Sequence, residues 1–254
     1  MRTLIAIPVF NEQKYVPRVL ASIMEHAPGK PSDILVIDDG STDGTPDAVA
    51  KFPVRSVRHE KNLGYGASII HAFTFAVRER YDWVITMDCD EQHEPGKIPL
   101  FVREQERANA PDIISGSRYI ASLDETTTPP ADRRAINATL TEEINRRLGW
   151  EPPLTDTFCG FKSHRVSAVS RLSLTEHGYA FPMQLWVQAK ALGLTVGEIP
   201  VKLIYKDLTR SFGGALNNPG TRLAHYRNVL YCEIERYRDR LPALAGAGTS
   251  CGCG

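Results

Sequence analysis

Ile34-Leu35-Val36-Ile37-Asp38-Asp39-Gly40-Ser41-Thr42-Asp43-Gly44-Thr45 is the stretch that sets the fold class of this chain. Four consecutive apolar residues read as a strand buried on both faces, and an acidic turn containing glycine closes it. Thr45 to Lys51 then has a helical pattern. The same unit recurs on either side. Upstream, Leu4 to Pro8 is a short apolar run, with Asn11 placed to cap a helix over Tyr15 to Glu25. Downstream, Val54 to Arg58 reads as a third strand. The turn Asn62-Leu63-Gly64-Tyr65-Gly66 leads into a helix reaching Arg80, with Ile69, Ile70, Phe73 and Val77 on one face. Trp83 to Met87 is a further buried strand that runs directly into Asp88. A helix near Ile98 to Ala108 and a strand near Ile113 to Ser115 follow. This alternation predicts an α/β domain, a mostly parallel sheet flanked by helices, with a Rossmann-like first half.

In such sheets ligands collect beyond the carboxyl ends of the strands. Three polar clusters fall there: Pro8 to Glu12, Asp38 to Thr45, and Asp88 to His93. Asp and Gly also terminate strands for purely local reasons, so one such cluster decides little. Three on one edge indicate a binding crevice. In Asp88-Cys89-Asp90 the two carboxylates are two residues apart, so an extended segment projects them the same way. Two carboxylates suit Mg²⁺ or Mn²⁺ shared with substrate phosphates, and Gln92 adds a neutral oxygen nearby. Cys89, between them, reads as a small packed residue, because hard cations prefer oxygen.

Composition narrows the function classes. Lys plus Arg is 30 and Asp plus Glu is 30, so the formal charge is zero and no broad nucleic-acid surface is indicated. No apolar run approaches the roughly 18 residues of a membrane span. The five cysteines, an odd number, do not form a disulfide framework pattern, which points to a reducing cytoplasm.

Pro8-Val9-Phe10-Asn11-Glu12, Asp38-Asp39-Gly40-Ser41-Thr42-Asp43-Gly44-Thr45, Asn62-Leu63-Gly64, Asp88-Cys89-Asp90-Glu91-Gln92-His93 and Gly116-Ser117-Arg118-Tyr119 occur in that order. The series resembles the motifs of family 2 glycosyltransferases over roughly residues 3 to 215. Within that family it is most similar to the dolichyl-phosphate mannose synthase and polyprenyl-phosphate glycosyltransferase group. The resemblance implies a GT-A type fold and a metal-dependent hexosyltransferase. Pro8, Asn11, Glu12 and Gly64 would border the donor nucleotide, and Asp39 would accept a hydrogen bond from its base. Asp88, Asp90 and Gln92 would hold Mg²⁺ or Mn²⁺ with the diphosphate, and Arg118 would face the phosphates. Arg133 and Asn137 fall where the group contacts the acceptor phosphate, although Asn137 stands where a serine is usual. Asp156, in Thr155-Asp156-Thr157-Phe158-Cys159-Gly160-Phe161, matches an acceptor-side aspartate. Arg210 falls near a basic residue that closes over the donor, with a departure from the common spacing.

The implied reaction is an inverting, single displacement that moves a hexose from GDP-mannose or UDP-glucose type donors to a polyprenyl or dolichyl phosphate. A lipid phosphate, with a second pKa of about 6, needs positioning more than deprotonation. A hydroxyl acceptor would need a base, for which Asp156 is the candidate. Transfer to a hydroxyl in polysaccharide or glycolipid synthesis is therefore the second reading, and an inactive nucleotide-sugar-binding protein the third. A nucleotidyltransferase would carry a glycine-rich loop near the start, which Pro8 to Glu12 lacks. Residues 1–240 are expected to form a single catalytic domain. Within it, 1–118 would serve the donor, and 119–240 the acceptor and a C-terminal helix. Leu223, Tyr226, Leu230, Ile234 and Tyr237 give that helix a stripe that packs on the domain. Residues 241–254 are expected to be disordered. His93, His164 and His177 read as surface or supporting residues. The expected location is cytoplasmic, peripheral at the inner face of the membrane, with the lipid phosphate taken there.

Overall fold

The computed structural model describes residues 1–120, 129–204 and 212–249. Seven strands form one sheet: β1 (Thr3–Val9), β2 (Ile34–Asp38), β3 (Arg55–Arg58), β4 (Trp83–Thr86), β5 (Ile113–Ser117), β6 (Lys162–Arg165) and β7 (Val196–Pro200). Their spatial order is β3-β2-β1-β4-β6-β5-β7. β1 to β4 run parallel, as the continuous apolar runs of β1, β2 and β4 require of strands covered on both faces. β6 alone is antiparallel, wedged between β4 and β5. This reversal matters for the site. It brings the start of β6 to the edge where β4 and β5 end, with Lys162 opposite both Thr86 and Ser115.

Among the described residues eight α-helices cover the sheet: α1 (Val16–His26), α2 (Thr45–Val49), α3 (Tyr65–Arg78), α4 (Ile98–Gln105), α5 (Ala131–Leu148), α6 (Val166–Val169), α7 (Phe181–Ala191) and α8 (Pro219–Arg236). One core layer joins α3, α5, α7 and α8 to one face of the sheet through Ile69, Phe73, Leu140, Phe181, Trp186 and Leu230. The other joins α1 and α4 through Leu20, Ile23, Ile98 and Phe101. Side chains alternate across each strand, so Leu4 and Ala6 enter the first layer and Ile5 and Ile7 the second.

Two expectations change. Asn11 does not cap a helix. It takes a left-handed conformation (φ 56°), its Oδ1 accepts the Thr42 N–H at 2.8 Å, and α1 starts at Val16 without a side-chain cap. The tail is not disordered as far as it is described. Ala245 is buried, and Arg147 donates to the Ala245 and Ala247 carbonyls. Residues 250–254 lie outside the described residues. Cys89 and Cys159 are buried, and neither forms a disulfide. The α8 stripe packs inward as expected, with Tyr226, Leu230 and Ile234 buried. Among the described residues no helix is long and apolar enough to cross a membrane.

Candidate active site

A cavity of about 680 Å³ opens beyond the ends of β1, β2, β4 and β5. Pro8, Glu12, Asp39 and Gly64 line one end, Asp88, Asp90 and Gln92 the middle, and Arg118, Arg133 and Asn137 the other. Asn11 does not line it; its side chain braces the turn after β2. Arg210 lies outside the described residues.

The first end is built on Asp39, which is 4% exposed. Its two oxygens accept the Leu63 and Gly64 N–H groups, each at 2.9 Å, which ties β2 to the turn entering α3. Gly64 has φ 104°, and a Cβ there would run into the His177 carbonyl. Only glycine lets the 176–178 segment lie across the start of α3, where the Ala67 N–H bonds the His177 carbonyl.

In the middle, Asp90 Oδ1 accepts the Gln92 N–H at 3.0 Å, curling the chain so that both carboxylates face the same space. The Asp88 N–H donates to His93 Nδ1 at 3.1 Å. Burial pushes His93 down to about 4, so it stays a neutral acceptor under this loop rather than a cation beside the carboxylates. Tyr65 donates to Asp88, and burial together with that carboxylate raises the phenol well above its usual range. A Cβ on Gly160 would sit 2.5 Å from Asp88 Oδ2 and 2.9 Å from the Tyr65 oxygen, so glycine leaves the Asp88 carboxylate its room. Among the described residues no group of three or more His, Cys, Asp or Glu could hold a metal alone. Two carboxylates with oxygen chemistry and open space fit a hard divalent cation that completes its shell from a ligand's phosphates.

The other end rests on a buried ion pair. Arg118 donates to Asp156 from Nε at 2.6 Å and from Nη2 at 2.9 Å. Asn137 Nδ2 adds a bond at 2.9 Å, and the Phe158 N–H another at 3.2 Å. Asp156 is 0% exposed. Burial would raise its pKa, yet Arg118 and these hydrogen bonds outweigh that and hold it down at about 2. The expectation that Asp156 could serve as a base is therefore corrected. Its carboxylate is walled off from the cavity, and its basicity is spent on Arg118. Asn137 Oδ1 also accepts from Thr141, and the residue still lines the cavity. Asp156 backs Arg118 from the buried side.

Several lining residues were not singled out in the sequence. Lys162, 5% exposed, donates to the Cys159 carbonyl and lies over the Trp186 ring. Burial lowers its pKa, with Asp156 opposing. At the mouth, the Phe212 ring is sandwiched between the Arg133 guanidinium, 5.0 Å from its centroid, and that of Arg222 at 4.2 Å. Arg222 is held by Asp132 and by the Leu216 carbonyl. Tyr179 packs edge-on to Phe212, and Phe158 lies against Tyr226. Lys162 comes from β6 and the others from α5, α8 and nearby connections, and no local pattern in the sequence announces their meeting.

The strand-end carboxylates, the glycine turn and the buried Arg118–Asp156 pair all lie within a stretch that matches one family model, Glycosyl transferase family 2, over residues 4–172. The chain belongs to this family. Family 2 relatives include an undecaprenyl-phosphate mannosyltransferase of Micrococcus luteus, 29% identical over 83% of this chain and 87% of that protein. A polyprenol monophosphomannose synthase of Mycolicibacterium smegmatis is 27% identical over 82% of this chain and 79% of that one. Glucosyl-3-phosphoglycerate synthase of Mycobacterium tuberculosis, solved with UDP, has the same GT-A fold. It superposes with a TM-score of 0.67 at 18% identity, over 94% of this chain and 80% of that one. The same enzyme has been solved with Mn²⁺ and UDP.

Proposed function

We propose that this family 2 enzyme moves a hexose from a nucleoside diphosphate sugar to a polyprenyl phosphate, with inversion, at the membrane surface. The observation that carries the acceptor choice is the state of Asp156. A hydroxyl nucleophile needs a base within hydrogen-bond reach. The acceptor-side carboxylate is buried, paired with Arg118 and held at about 2. Among the described residues, that end of the cavity offers arginines and aromatic rings instead. A phosphate arrives largely ionised near neutral pH and needs only a cationic cradle.

In this reading Pro8, Glu12 and Gly64 border the nucleoside, and Asp39 offers the base its remaining acceptor direction. Asp88 and Asp90, with Gln92 beside them, hold Mg²⁺ or Mn²⁺ and the diphosphate. The cation supplies Lewis-acid stabilisation of charge on the departing diphosphate. Arg118, backed by Asp156, faces the phosphates. Arg133, fixed against Phe212, receives the acceptor's phosphate, and the aromatic mouth suits the first apolar units behind it. The relatives named for undecaprenyl-phosphate mannosyl transfer and polyprenol monophosphomannose synthesis support the same acceptor class. The test uses radiolabelled GDP-mannose and UDP-glucose with Mg²⁺ or Mn²⁺ and a short polyprenyl phosphate. Label extracted into the organic phase supports the reading, and label confined to water-soluble products overturns it.

A further inference from the structure

Behind Asp39, on the side away from the cavity, two imidazoles are linked to its carboxylate. His59 Nδ1 lies 2.7 Å from Asp39 Oδ1, and His59 Nε2 lies 3.1 Å from His71 Nδ1. The two rings stack, with centroids 5.3 Å apart and planes 23° apart. The order of hydrogen bonds follows from chemistry. An ionised carboxylate only accepts, so His59 Nδ1 carries the hydrogen. In the neutral relay His59 Nε2 then accepts, and His71 Nδ1 donates. One further proton reverses the second bond: His59 becomes an imidazolium donating both to Asp39 and to His71. His71 is disfavoured as the place for that proton, because burial, His59 and Arg78 lower its pKa, whereas His59 sits against the carboxylate. The other nearby cation, Arg58, is turned to Asp38 at 3.3 Å and to the Ser41 carbonyl. Glu79, further along α3, is occupied by Arg55 and Arg78.

The carboxylate of Asp39 has about four acceptor directions. Leu63, Gly64 and His59 use three of them, and one remains for a ligand. We propose that His59 and His71 are positioning residues for donor recognition, holding Asp39 aimed at the donor base and making donor affinity fall as the relay takes up a proton. The proposal rests on the reading of Asp39 as the acceptor for the base N–H. An imidazolium against Asp39 cancels its charge in a buried site, and the hydrogen bond to the base loses its charge-assisted strength. By linkage, donor binding favours the neutral relay. The chemistry of the sugar does not depend on this corner, so the effect appears in donor binding and KM rather than in kcat.

The probe is an intact sugar nucleotide, since its diphosphate, unlike that of a nucleoside diphosphate, has no terminal phosphate titrating near pH 6. UDP-glucose and GDP-mannose are titrated calorimetrically into the full chain with Mg²⁺, without acceptor, from about pH 8 to about pH 5.5, where an ordinary histidine changes charge. The wild-type Kd for the preferred donor rises about five- to tenfold across that range, the scale of one charged hydrogen bond. His59→Asn places an amide N–H where Nδ1 stood but takes up no proton. It binds within about twofold of wild type at pH 8 and loses the pH dependence. His59→Ala binds about tenfold more weakly at pH 8, and the Asn variant rescues it. Thermal melting of both variants confirms that they are folded. A flat wild-type profile, or an unchanged pH dependence in His59→Asn, overturns the relay and leaves the donor reading standing. Absence of binding by either sugar nucleotide at every pH overturns the donor reading, and the relay with it.

Discussion

The two ends of the cavity treat charge in opposite ways. At the donor end, carboxylates face the cavity and backbone N–H groups or rings hold them from behind: Asp39 by Leu63, Gly64 and His59, Asp90 by Gln92. At the acceptor end the carboxylate is behind and the cation is in front, with Asp156 fully buried beneath Arg118. An anionic edge attracts a divalent cation and, through it, a diphosphate. A cationic edge attracts an anion directly. The same residue types, placed in reverse order from the solvent inward, make one site that collects two phosphorylated ligands of different kinds.

The largest expected effect breaks the donor end. Asp90→Ala removes one of the two carboxylates proposed to hold the cation and should lower transfer about 10³-fold, the scale of losing one preorganised electrostatic contact. Its melting temperature should stay near that of wild type, because Asp90 is partly exposed. Residual activity near wild type, still metal-dependent, would contradict the assignment.

Breaking the acceptor end from behind should damage the fold instead. Arg118→Met leaves Asp156 buried without its cation, and losing one partner of such a pair costs about 3–5 kcal/mol. Urea unfolding reads this directly. A variant as stable as wild type would mean that Asp156 finds another partner. From the front, Arg133→Ala should raise the acceptor KM about tenfold, as one charged hydrogen bond is lost, and leave donor binding unchanged. An equal loss of donor affinity would erase the division between the ends.

Acid sharpens the contrast by the smallest margin. Asp156 is depressed from 3.8 to about 2, so the stability it contributes is present above about 4 and lost only as pH falls through about 2. His164 is buried and held neutral at about 3, against 6.5 when unfolded. The unfolded chain therefore binds the extra proton first, and stability declines from about pH 6.5 downward, at most about 1.4 kcal/mol per pH unit. Between pH 6.5 and 4, His164→Gln should flatten this slope, whereas the Arg118–Asp156 pair stays intact. An unchanged slope in that variant would show that other groups govern the acid response.

The donor half was legible because its signals are local. β1, β2 and β4 announce themselves as apolar runs, and each ends in its own polar cluster, so the crevice follows from the parallel topology alone. The acceptor half is built from contacts distant in sequence. α7 is buried nearly all round and carries no amphipathic pattern, and β6 is four residues of mixed character, Lys162 to Arg165. The reversal of β6 is what sets Lys162 and the Asp156 loop beside Asp88, and nothing in those four residues signals direction. Asp156 was found by its place before a Gly-Phe pair, but its role depends on whether Arg118 reaches it, 38 residues away. Asn137 was read as a phosphate contact from the family resemblance; it lines the cavity while also bonding Asp156 and Thr141, contacts no local pattern announces. His59 and His71 lie 12 residues apart on different elements, and only the fold stacks them.

The central claim is that the acceptor end, among the described residues, carries no available base and takes a nucleophile that is already ionised. The direct test compares two acceptors of equal chain length under one donor and one metal, a polyprenyl phosphate and the corresponding free polyprenol. The account predicts labelled lipid from the phosphate and none above background from the alcohol, at every pH between about 6 and about 8, where the phosphate is substantially ionised. Transfer to the polyprenol at a comparable rate would contradict it, and would require a base that the buried, arginine-bound Asp156 cannot supply.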